Sequence, residues 1–318
     1  MKNSEEQESF TASNSNQEAV ISIASKHLGQ VGGAGYSDTY DPSLLVEIPR
    51  YLNREAYGID DNDLPFVGGD VWNAYEVSAI TTKGLPVVGM LKIWYPADSK
   101  LHVESKSIKL YLNSFNMTQM GDTDHECIAI LKDRVKRDLS DLLQTKVEVE
   151  MFTSDHTPSY AFKGYAPLDA LVDLNAIEFT SYHSDATQLE ADEVDDDFEI
   201  GEIKVQSNLL RSNCRVTNQP DWGDVFIHIK PKAGVVPNLQ SLAKYIVSHR
   251  QVSHFHEEIC EMVYMHLKEA YNPEELMVAC LYTRRGGLDI NPIRASHKSL
   301  IPGFFTDIHC RMAKTLRQ

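Results

Sequence analysis

VWNAYEVSAITTKGLPVVGMLKIWYP, residues 71–96, decides the fold of this 318-residue chain. Apolar and polar side chains alternate along VWNAYEVSAIT (71–81) and again along LPVVGMLKIWYP (85–96), which is typical of half-buried β-strands. The short TKG between the two runs predicts a hairpin. We therefore expect the first folded module to open with a pair of antiparallel strands.

Helices are predicted directly after this hairpin. Apolar residues recur at helical spacing in SIKLYLNSFNMTQ (107–119). A second helix is predicted from near DTDHE to about Leu143, with Asp122 or Asp124 as its N-terminal cap. The strand-like KVEVEMF (146–152) and then YAFKGY follow. The predicted order of the first module is therefore β-β-α-α-β-β.

The last third of the chain repeats this order. A Pro/Asp/Gly turn, NQPDWG (218–223), separates two predicted strands, and two helices and two more strands come after it. The predicted elements are strands 208–217 and 224–231, helices 238–250 and 254–271, and strands 275–285 and 287–294.

The two halves also match at the level of single residues. KLYLNSF (109–115) aligns with AKYIVSH (243–249). The resulting pairs are Tyr111 with Tyr245, Ser114 with Ser248, and His125-Glu126 near His256-Glu257. The shared order and these matches predict an internal duplication. We expect an α+β protein of two tandem modules, with antiparallel sheets and helices on one face. Since each module exposes sheet edges, closure by oligomerisation is expected.

Two polar stretches flank the first module. The N-terminal residues are rich in Ser, Asn and Glu, which predicts disorder. LEADEVDDDFEIGE (189–202) holds eight acidic residues and no basic one, which predicts a solvent-exposed linker. KAGVVPN (232–238) is interpreted as an insertion away from the motifs. The predicted boundaries are a tail at 1–22, a first module at 23–185, an acidic linker at 186–204 and a second module at 205–318.

Composition excludes several function classes. The formal net charge of −16 argues against general binding to nucleic acids or anionic membranes. No apolar run approaches the roughly 20 residues of a membrane span, and the N-terminus has no apolar signal core. The five cysteines are odd in number and form no CxxC, so reduced thiols and a cytoplasmic location are expected.

Cys214 and Asp221 are the first candidates for chemistry. They lie seven residues apart across the predicted turn, which could hold a thiol and a carboxyl over one pocket. The alternative is that Cys214 is an inert small apolar residue in a strand.

Three further stretches could bind ligands, and each has a simpler structural explanation. His256-Glu257 begins a helix, where Glu is also a favourable partner of the helix dipole. VESKSIKLY (103–111) combines Ser and Lys at a helix start and suits phosphate, but a capped amphipathic helix explains it too. TRRGGLD (283–289) offers forked donors beside glycines, or forms an ordinary hairpin turn. GQVGGAGYSD (29–38) is no dinucleotide fingerprint, because no strand precedes it.

Several separate blocks resemble the long, two-module form of the 7-cyano-7-deazaguanine reductase family. These blocks are ESKSIKLYLNSF (104–115), SNCRVTNQPDWG (212–223), FHEE (255–258) and YTRRGGLDINP (282–292), and YDPSLLVEIPRYLNRE (40–55) and LPFVGGDVW (64–72) resemble its N-terminal region. The resemblance implies the tunnelling fold and a homodimer. It also implies that the nitrile of 7-cyano-7-deazaguanine is reduced to an aminomethyl group with two NADPH, in the synthesis of queuosine for tRNA. The implied substrate is the free base, so binding of tRNA itself is not expected.

The resemblance also implies a role for each motif residue. Those roles are the nucleophile at Cys214, the proton donor at Asp221, substrate binding by Val103, Glu104, Ser105, His256 and Glu257, and NADPH binding by Ser105 with Lys106 and Arg285 with Gly286. A thiolate that adds to the nitrile carbon gives a thioimide, which accepts hydride more readily than the nitrile. The thiol therefore needs a lowered pKa, and Asp221 is expected to be partly desolvated so that it can donate a proton.

Two alternatives stay open. One is a zinc-dependent hydrolase on the same fold, like a cyclohydrolase, although no recognisable Cys/His ligand set is present and no metal is expected. The other is that the first module is only an interaction scaffold. The division of the motifs argues against a scaffold, because ESKS lies in one module and Cys214 in the other.

Overall fold

The computed structural model describes residues 14–24, 37, 39–153, 160–194, 201–316 and 318. In this part of the chain one nine-stranded sheet runs through both halves, in the order β5-β3-β2-β13-β12-β10-β8-β6, with β9 paired to β10 beside that path. The strands of this sheet are β2 (Val67–Ile80), β3 (Pro86–Pro96), β5 (Glu148–Phe152), β6 (Ala166–Pro167), β8 (Ile203–Ser207), β9 (Arg211–Asn213), β10 (Pro220–Lys230), β12 (Glu275–Tyr282) and β13 (Leu288–Ala295).

The joint between the halves is the antiparallel pair β2–β13, with Leu288 opposite Ala74 and Ala295 opposite Val67. The two predicted modules therefore share a single sheet. All its ladders are antiparallel except β6–β8, which is parallel. The predicted sixth strand of the first module is wrong, because YAFKGY forms bends and turns and Ala166–Pro167 then joins the far edge of the sheet.

Four helices cover one face of the sheet. They are α3 (Ser105–Asn113), α4 (Asp124–Leu143), α6 (Leu239–Ser248) and α7 (His256–Tyr271). Tyr111 of α3 and Tyr245 of α6 are fully buried in two separate apolar cores, one under each helix pair. The cap of α4 is Thr123, whose hydroxyl accepts from the Glu126 N–H, and not Asp122 or Asp124 as predicted.

The opposite face of the sheet is covered by the chain end. Phe305 of the short helix α8 (Gly303–Thr306) and Met312 pack against apolar residues of the central strands. Phe162 stacks on Phe226 of β10, with ring centroids 4.3 Å apart. Chain segments therefore pack on both faces of the second half.

Two small sheets repeat one another outside the main sheet. β1 (Glu47–Pro49) pairs with β4 (Leu101–Val103), and β7 (Ala191–Glu193) pairs with β11 (Val235–Pro237). In each half the second of these strands leads directly into a helix, α3 or α6. The segment interpreted as an insertion, 232–238, is therefore the counterpart of the strand before α3.

The predicted acidic linker is ordered in part. Asp185 caps a single turn, Ala186–Gln188, and the next residues form β7, which is held by its ladder to β11. Backbone pairing does not require apolar side chains, so an acidic strand can form at the protein surface. Residues 195–200 of this stretch lie outside the described residues.

The predicted disordered tail also differs from the structure at its end. Residues 14–24 form α1 (Asn14–Ala24), because Val20 is buried against Ile48 and Leu52 and gives the helix an apolar contact. Residues 1–13 lie outside the described residues. The remaining short helices are α2 (Tyr51–Arg54) and α5 (Leu168–Leu171). In the part of the chain that is described, no helix is both long and apolar enough to cross a membrane.

Candidate active site

Four elements from the two halves meet at one pocket. They are the turn between β9 and β10, the N-terminus of α7, the N-terminus of α3 and the loop between β12 and β13. An inner cavity of about 20 Å³ lies beside a groove of about 250 Å³. The predicted residues Glu104, Ser105, Cys214, His256 and Arg285 line both. Val103, Asp221 and Glu257 line the inner cavity alone, and Lys106 lines the groove alone. The fold thus brings motifs more than 100 residues apart to one place.

Cys214 lies in a turn and not in a strand, so the strand predicted over 208–217 is wrong at both ends and is only Arg211–Asn213. The turn predicted at 218–223 is also displaced, because β10 already begins at Pro220. β9 stops at Asn213, whose N–H donates to Val252 O at 2.7 Å. The turn is closed by hydrogen bonds from Cys214 N to Gln219 O (2.8 Å) and from Asn218 N to Cys214 O (2.9 Å). Cys214 therefore lies outside the β9–β10 ladder, and its side chain lines the cavity.

The surroundings of Cys214 favour the thiolate. Burial by itself would raise the pKa of the Cys214 thiol, but hydrogen bonds from the Thr217 side chain, the Thr217 and Val216 N–H groups and Arg285 lower it below its usual value. In contrast, burial raises the pKa of Cys127 and Cys280. A thiolate is the nucleophilic form of cysteine, so this site suits covalent chemistry.

Asp221 is buried between two nitrogen donors. Its Oδ2 lies 3.3 Å from Nε2 of His256, and its Oδ1 lies 3.3 Å from Nη1 of Arg285. The His256 ring stacks on Tyr282 with ring centroids 3.7 Å apart, which fixes the imidazole beside the carboxyl. Asp221 and His256 can therefore exchange a proton at the mouth of the inner cavity.

Glu257 presents an acceptor that has no partner. The side chain is 4% exposed, and its Oε1 has no hydrogen-bond partner among the described residues. Nδ1 of His102 lies 3.7 Å from this oxygen and also lacks a hydrogen bond there. Buried polar atoms of folded proteins normally have partners, so this pair calls for a ligand that donates to the carboxylate. Sequence reasoning missed His102, although it stands directly before the VES motif.

Glu104 is the N-terminal cap of α3, in line with the simpler explanation of the VESKSIKLY stretch. Its carboxylate caps α3 by accepting from the N–H groups of Lys106 (3.0 Å) and Ser107 (2.7 Å). Both oxygens are thus engaged with the backbone, and the carboxylate fixes where Val103 and Ser105 lie. Glu257 is the better acceptor for a bound base.

Cations gather along the groove. Lys106 and Arg285, for which NADPH binding is predicted, line it, and so does Lys109, which sequence reasoning missed although it lies one helical turn after Lys106. Burial and then repulsion by Arg285 lower the pKa of Lys109. Gly286 does not line the groove, but at φ +57° a Cβ there would lie 1.7 Å from Nζ of Lys109. The glycine therefore makes room for the ammonium group.

A buried ionic network lies behind the pocket. Arg215, the neighbour of Cys214, donates to Oε1 of Glu258 at 2.7 Å and to Oδ1 of Asn53 at 2.6 Å. Nδ1 of His254 lies 2.8 Å from the same Glu258 oxygen. Glu258 thus connects the cysteine turn to the N-terminus of α7. The second glutamate of FHEE was the available signal for this residue.

Among the described residues, one group of three His, Cys, Asp or Glu side chains has ligand atoms close enough to share a metal ion. That group is Glu202, His228 and Glu275, and none of them lines the pocket. The zinc-hydrolase alternative therefore has no ligand set around Cys214 in this part of the chain.

Comparison with known proteins agrees with these motifs. Residues 36–151 match the family described as "Nitrile reductase, 7-cyano-7-deazaguanine-reductase N-term", and residues 220–300 match the family described as "QueF-like protein". A solved structure, an archaeosine synthase of the QueF-Like type in the apo form, overlaps 30% of this chain and 89% of its own at 21% identity, with a TM-score of only 0.26.

Full-length relatives carry a more specific name. A protein of Colwellia psychrerythraea is 38% identical over 283 residues, which are 89% of this chain and 93% of the relative. One of Rickettsia akari is 40% identical over 265 residues, 83% of this chain and 91% of the relative. Both are named NADPH-dependent 7-cyano-7-deazaguanine reductase, which is an oxidoreductase acting on a nitrile. The resemblance predicted from the motifs is confirmed, and the chain belongs to the 7-cyano-7-deazaguanine reductase family.

Proposed function

We propose that this protein reduces the nitrile of 7-cyano-7-deazaguanine to an aminomethyl group through a covalent thioimide on Cys214, for queuosine synthesis. The observation that carries the proposal is the thiol of lowered pKa that shares one cavity with the buried Asp221 and its neighbour His256. A nucleophile next to a proton donor is what addition to a nitrile requires.

In the proposed mechanism, the thiolate of Cys214 attacks the nitrile carbon and forms a C–S bond. One π-electron pair moves to the nitrogen, which takes a proton from Asp221, and His256 resupplies that proton. The product of this step is a neutral thioimide. A first hydride at the thioimide carbon gives a tetrahedral adduct, whose C–S bond breaks to release an imine and the thiolate, which again accepts hydrogen bonds from Thr217 and Arg285. A second hydride and a proton then convert the imine to the aminomethyl group.

Recognition of the base is assigned to Glu257. Its unpartnered Oε1 can accept from the N–H edge of a guanine-like ring, and such charge-assisted hydrogen bonds are stronger than neutral ones. His102 and His256 offer further ring nitrogens without partners in the described structure. Val103 and Ser105 form the wall from the first module, where the Glu104 cap holds them.

The groove is the proposed NADPH site. Lys106, Lys109 and Arg285 supply the positive charge that a dinucleotide needs. The missing side chain of Gly286 leaves the space that the Lys109 ammonium occupies. Ser105 lies where the groove meets the inner cavity. When bound there, NADPH supplies two hydrides. A 250 Å³ groove is small for such a ligand, so it suits the reacting end of the dinucleotide.

The assembly is proposed as a homodimer of the tunnelling-fold type, with the thioimide chemistry inside each protomer. The support is the strand order, which leaves β5 at an edge of the sheet where another copy can add. The negative charge of the chain supports action on a free base without direct contact to nucleic acid or membrane, and the five free cysteines support a cytoplasmic location.

The test is to mix the protein with 7-cyano-7-deazaguanine in the absence of NADPH. We expect a new long-wavelength absorbance band and an intact mass raised by one substrate. Cys214→Ala should lose both signals, whereas Cys310→Ala, which alters the other partly exposed thiol, should keep them. An adduct that persists in Cys214→Ala would reject the assignment.

A further inference from the structure

Glu202, His228 and Glu275 form a second cluster of chemically useful side chains. Glu202 precedes β8, His228 lies in β10, and Glu275 begins β12. Lys204 is directly opposite His228 in one ladder, and Lys230 is opposite Glu275 in the next. The three residues therefore lie at the same end of adjacent strands, with one ligand atom from each within 4.8 Å of the others.

His228 points to a ligand independently of the two acidic residues. Its side chain is 5% exposed, and Nε2 has no hydrogen-bond partner among the described residues. That nitrogen faces Oε2 of Glu202 at 3.5 Å. An unpartnered imidazole nitrogen beside a carboxylate suits a metal ion, because histidine ring nitrogens are the commonest metal ligands in proteins.

We propose that Glu202, His228 and Glu275 bind one divalent transition-metal ion, with Zn²⁺ as the best match. A tetrahedral zinc site with bonds of about 2.0–2.1 Å places neighbouring ligands about 3.4 Å apart, close to the separation of His228 and Glu202. One imidazole nitrogen and two carboxylates supply three ligands, and the two carboxylates balance the charge of a divalent ion. The fourth coordination position stays open for water.

Binding requires two small movements. The Lys204 ammonium, now on Glu202 at 2.5 Å, must swing away, which its partial exposure permits. Glu275 must close on the other two ligands. The site is distinct from the candidate active site, because His228 lies seven positions after Asp221 in β10, about 23 Å along an extended strand. Its effect is to fasten the start of β8, which follows the acidic segment, to β10 and β12.

The experiment uses Co²⁺ as a spectroscopic substitute for Zn²⁺ on the full-length protein. We expect one equivalent of Co²⁺ to give visible d–d bands without a thiolate charge-transfer band, and Zn²⁺ to displace it. His228→Gln should weaken binding by about 100-fold or more, since loss of an outer-shell partner alone costs about 10–100-fold. Glu275→Gln, at a partly exposed position, should weaken it without disturbing the fold.

The matched control is His309→Gln, which removes an exposed histidine 3.2 Å from Glu150 and should leave the Co²⁺ spectrum unchanged. Zn²⁺ should raise the urea midpoint of the wild type and of His309→Gln, but not that of His228→Gln. Adduct formation at Cys214 should be the same in all variants. A spectrum unaffected by His228→Gln, or one with a thiolate band, would overturn the proposal, as would no binding at all.

Discussion

In the first half of the chain, Asp41 caps a single helical turn and its N–H donates to Ser114 Oγ at 3.1 Å. In the second half, Asp185 does the same towards Ser248 Oγ, at 3.3 Å. Both serines in turn donate to the carbonyl of the tyrosine three residues earlier. The duplication therefore preserves a network of capping contacts, and not only an order of strands and helices.

The two halves differ at the N-termini of α3 and α6. α3 is capped by Glu104 and carries Lys106 and Lys109, whereas α6 is capped by Asn238 and has Gln240 and Ala243 at the corresponding places. The first copy thus presents charge to the groove, whereas the second copy has no charged side chain at these places. One scaffold can be kept while a few positions at a helix start decide where a ligand binds.

In the second pair of helices, α4 and α7, it is the second half of the chain that presents charge to the pocket. α7 presents the buried Glu257 as its second residue, and α4 presents the exposed His125 at that place. Counting from the caps, Glu126 corresponds to Glu258 and not to Glu257, one residue away from the match made by sequence. Each half therefore contributes one helix start to the lining of the pocket and has one that does not line it.

The largest effect on turnover is expected from a substitution of Asp221, in the second half. Asp221→Asn keeps the shape of the side chain and removes the transferable proton, so turnover should fall by roughly 100-fold or more, the usual scale for loss of a general acid. Steady-state kinetics measure this effect. Asp192→Asn, on the exposed β7, is the control and should be silent. Near-normal turnover of Asp221→Asn would mean that another group delivers the proton.

A matched pair of variants tests the two helix starts. Glu257→Gln removes the charge that accepts from the base, and charge-assisted hydrogen bonds contribute about 1.5–3 kcal/mol, which is roughly 10- to 150-fold in affinity. Isothermal titration of Cys214→Ala with and without Glu257→Gln measures substrate binding apart from the adduct. His125→Gln at the corresponding place of α4 should change nothing. Equal losses from both would contradict the assigned difference.

The sequence predicted the helices and central strands well, since periodicity is a local property. It missed the cysteine turn, because the contacts that end β9 come from Val252 and Gln219, far along the chain or across the turn. It missed β7 for a similar reason, as an acidic segment becomes a strand only through its ladder to β11. The site residues came from motifs, whereas His102 and Lys109 required the packing of separate elements.

The pH dependence of adduct formation tests how the second half activates Cys214. The reactive form is the thiolate, so the rate should rise as pH passes upward through the pKa of Cys214, and the lowered pKa places this rise below that of an ordinary thiol. Thr217→Val removes the largest lowering contribution, so the midpoint should move to higher pH and the rate near neutrality should fall several-fold. Stopped-flow absorbance measures both. Thr187→Val, in the capping turn after Asp185, is the control. An unmoved midpoint in Thr217→Val would show that the backbone N–H groups are enough to lower the pKa of Cys214.

The smallest effect is expected where the halves are alike. Ser114→Ala and Ser248→Ala each leave the N–H of Asp41 or Asp185 without its acceptor. An orphaned buried donor costs about 1–3 kcal/mol, and these N–H groups are only partly buried, so each variant should lose about 1 kcal/mol of unfolding free energy. Urea unfolding at constant m-value measures the loss, with the exposed Ser181→Ala as the control. Adduct formation should persist in both variants, because neither serine lines the pocket. If Ser114→Ala were destabilising and Ser248→Ala were not, the second copy of the network would not contribute to stability, and the symmetry between the halves would be one of geometry alone.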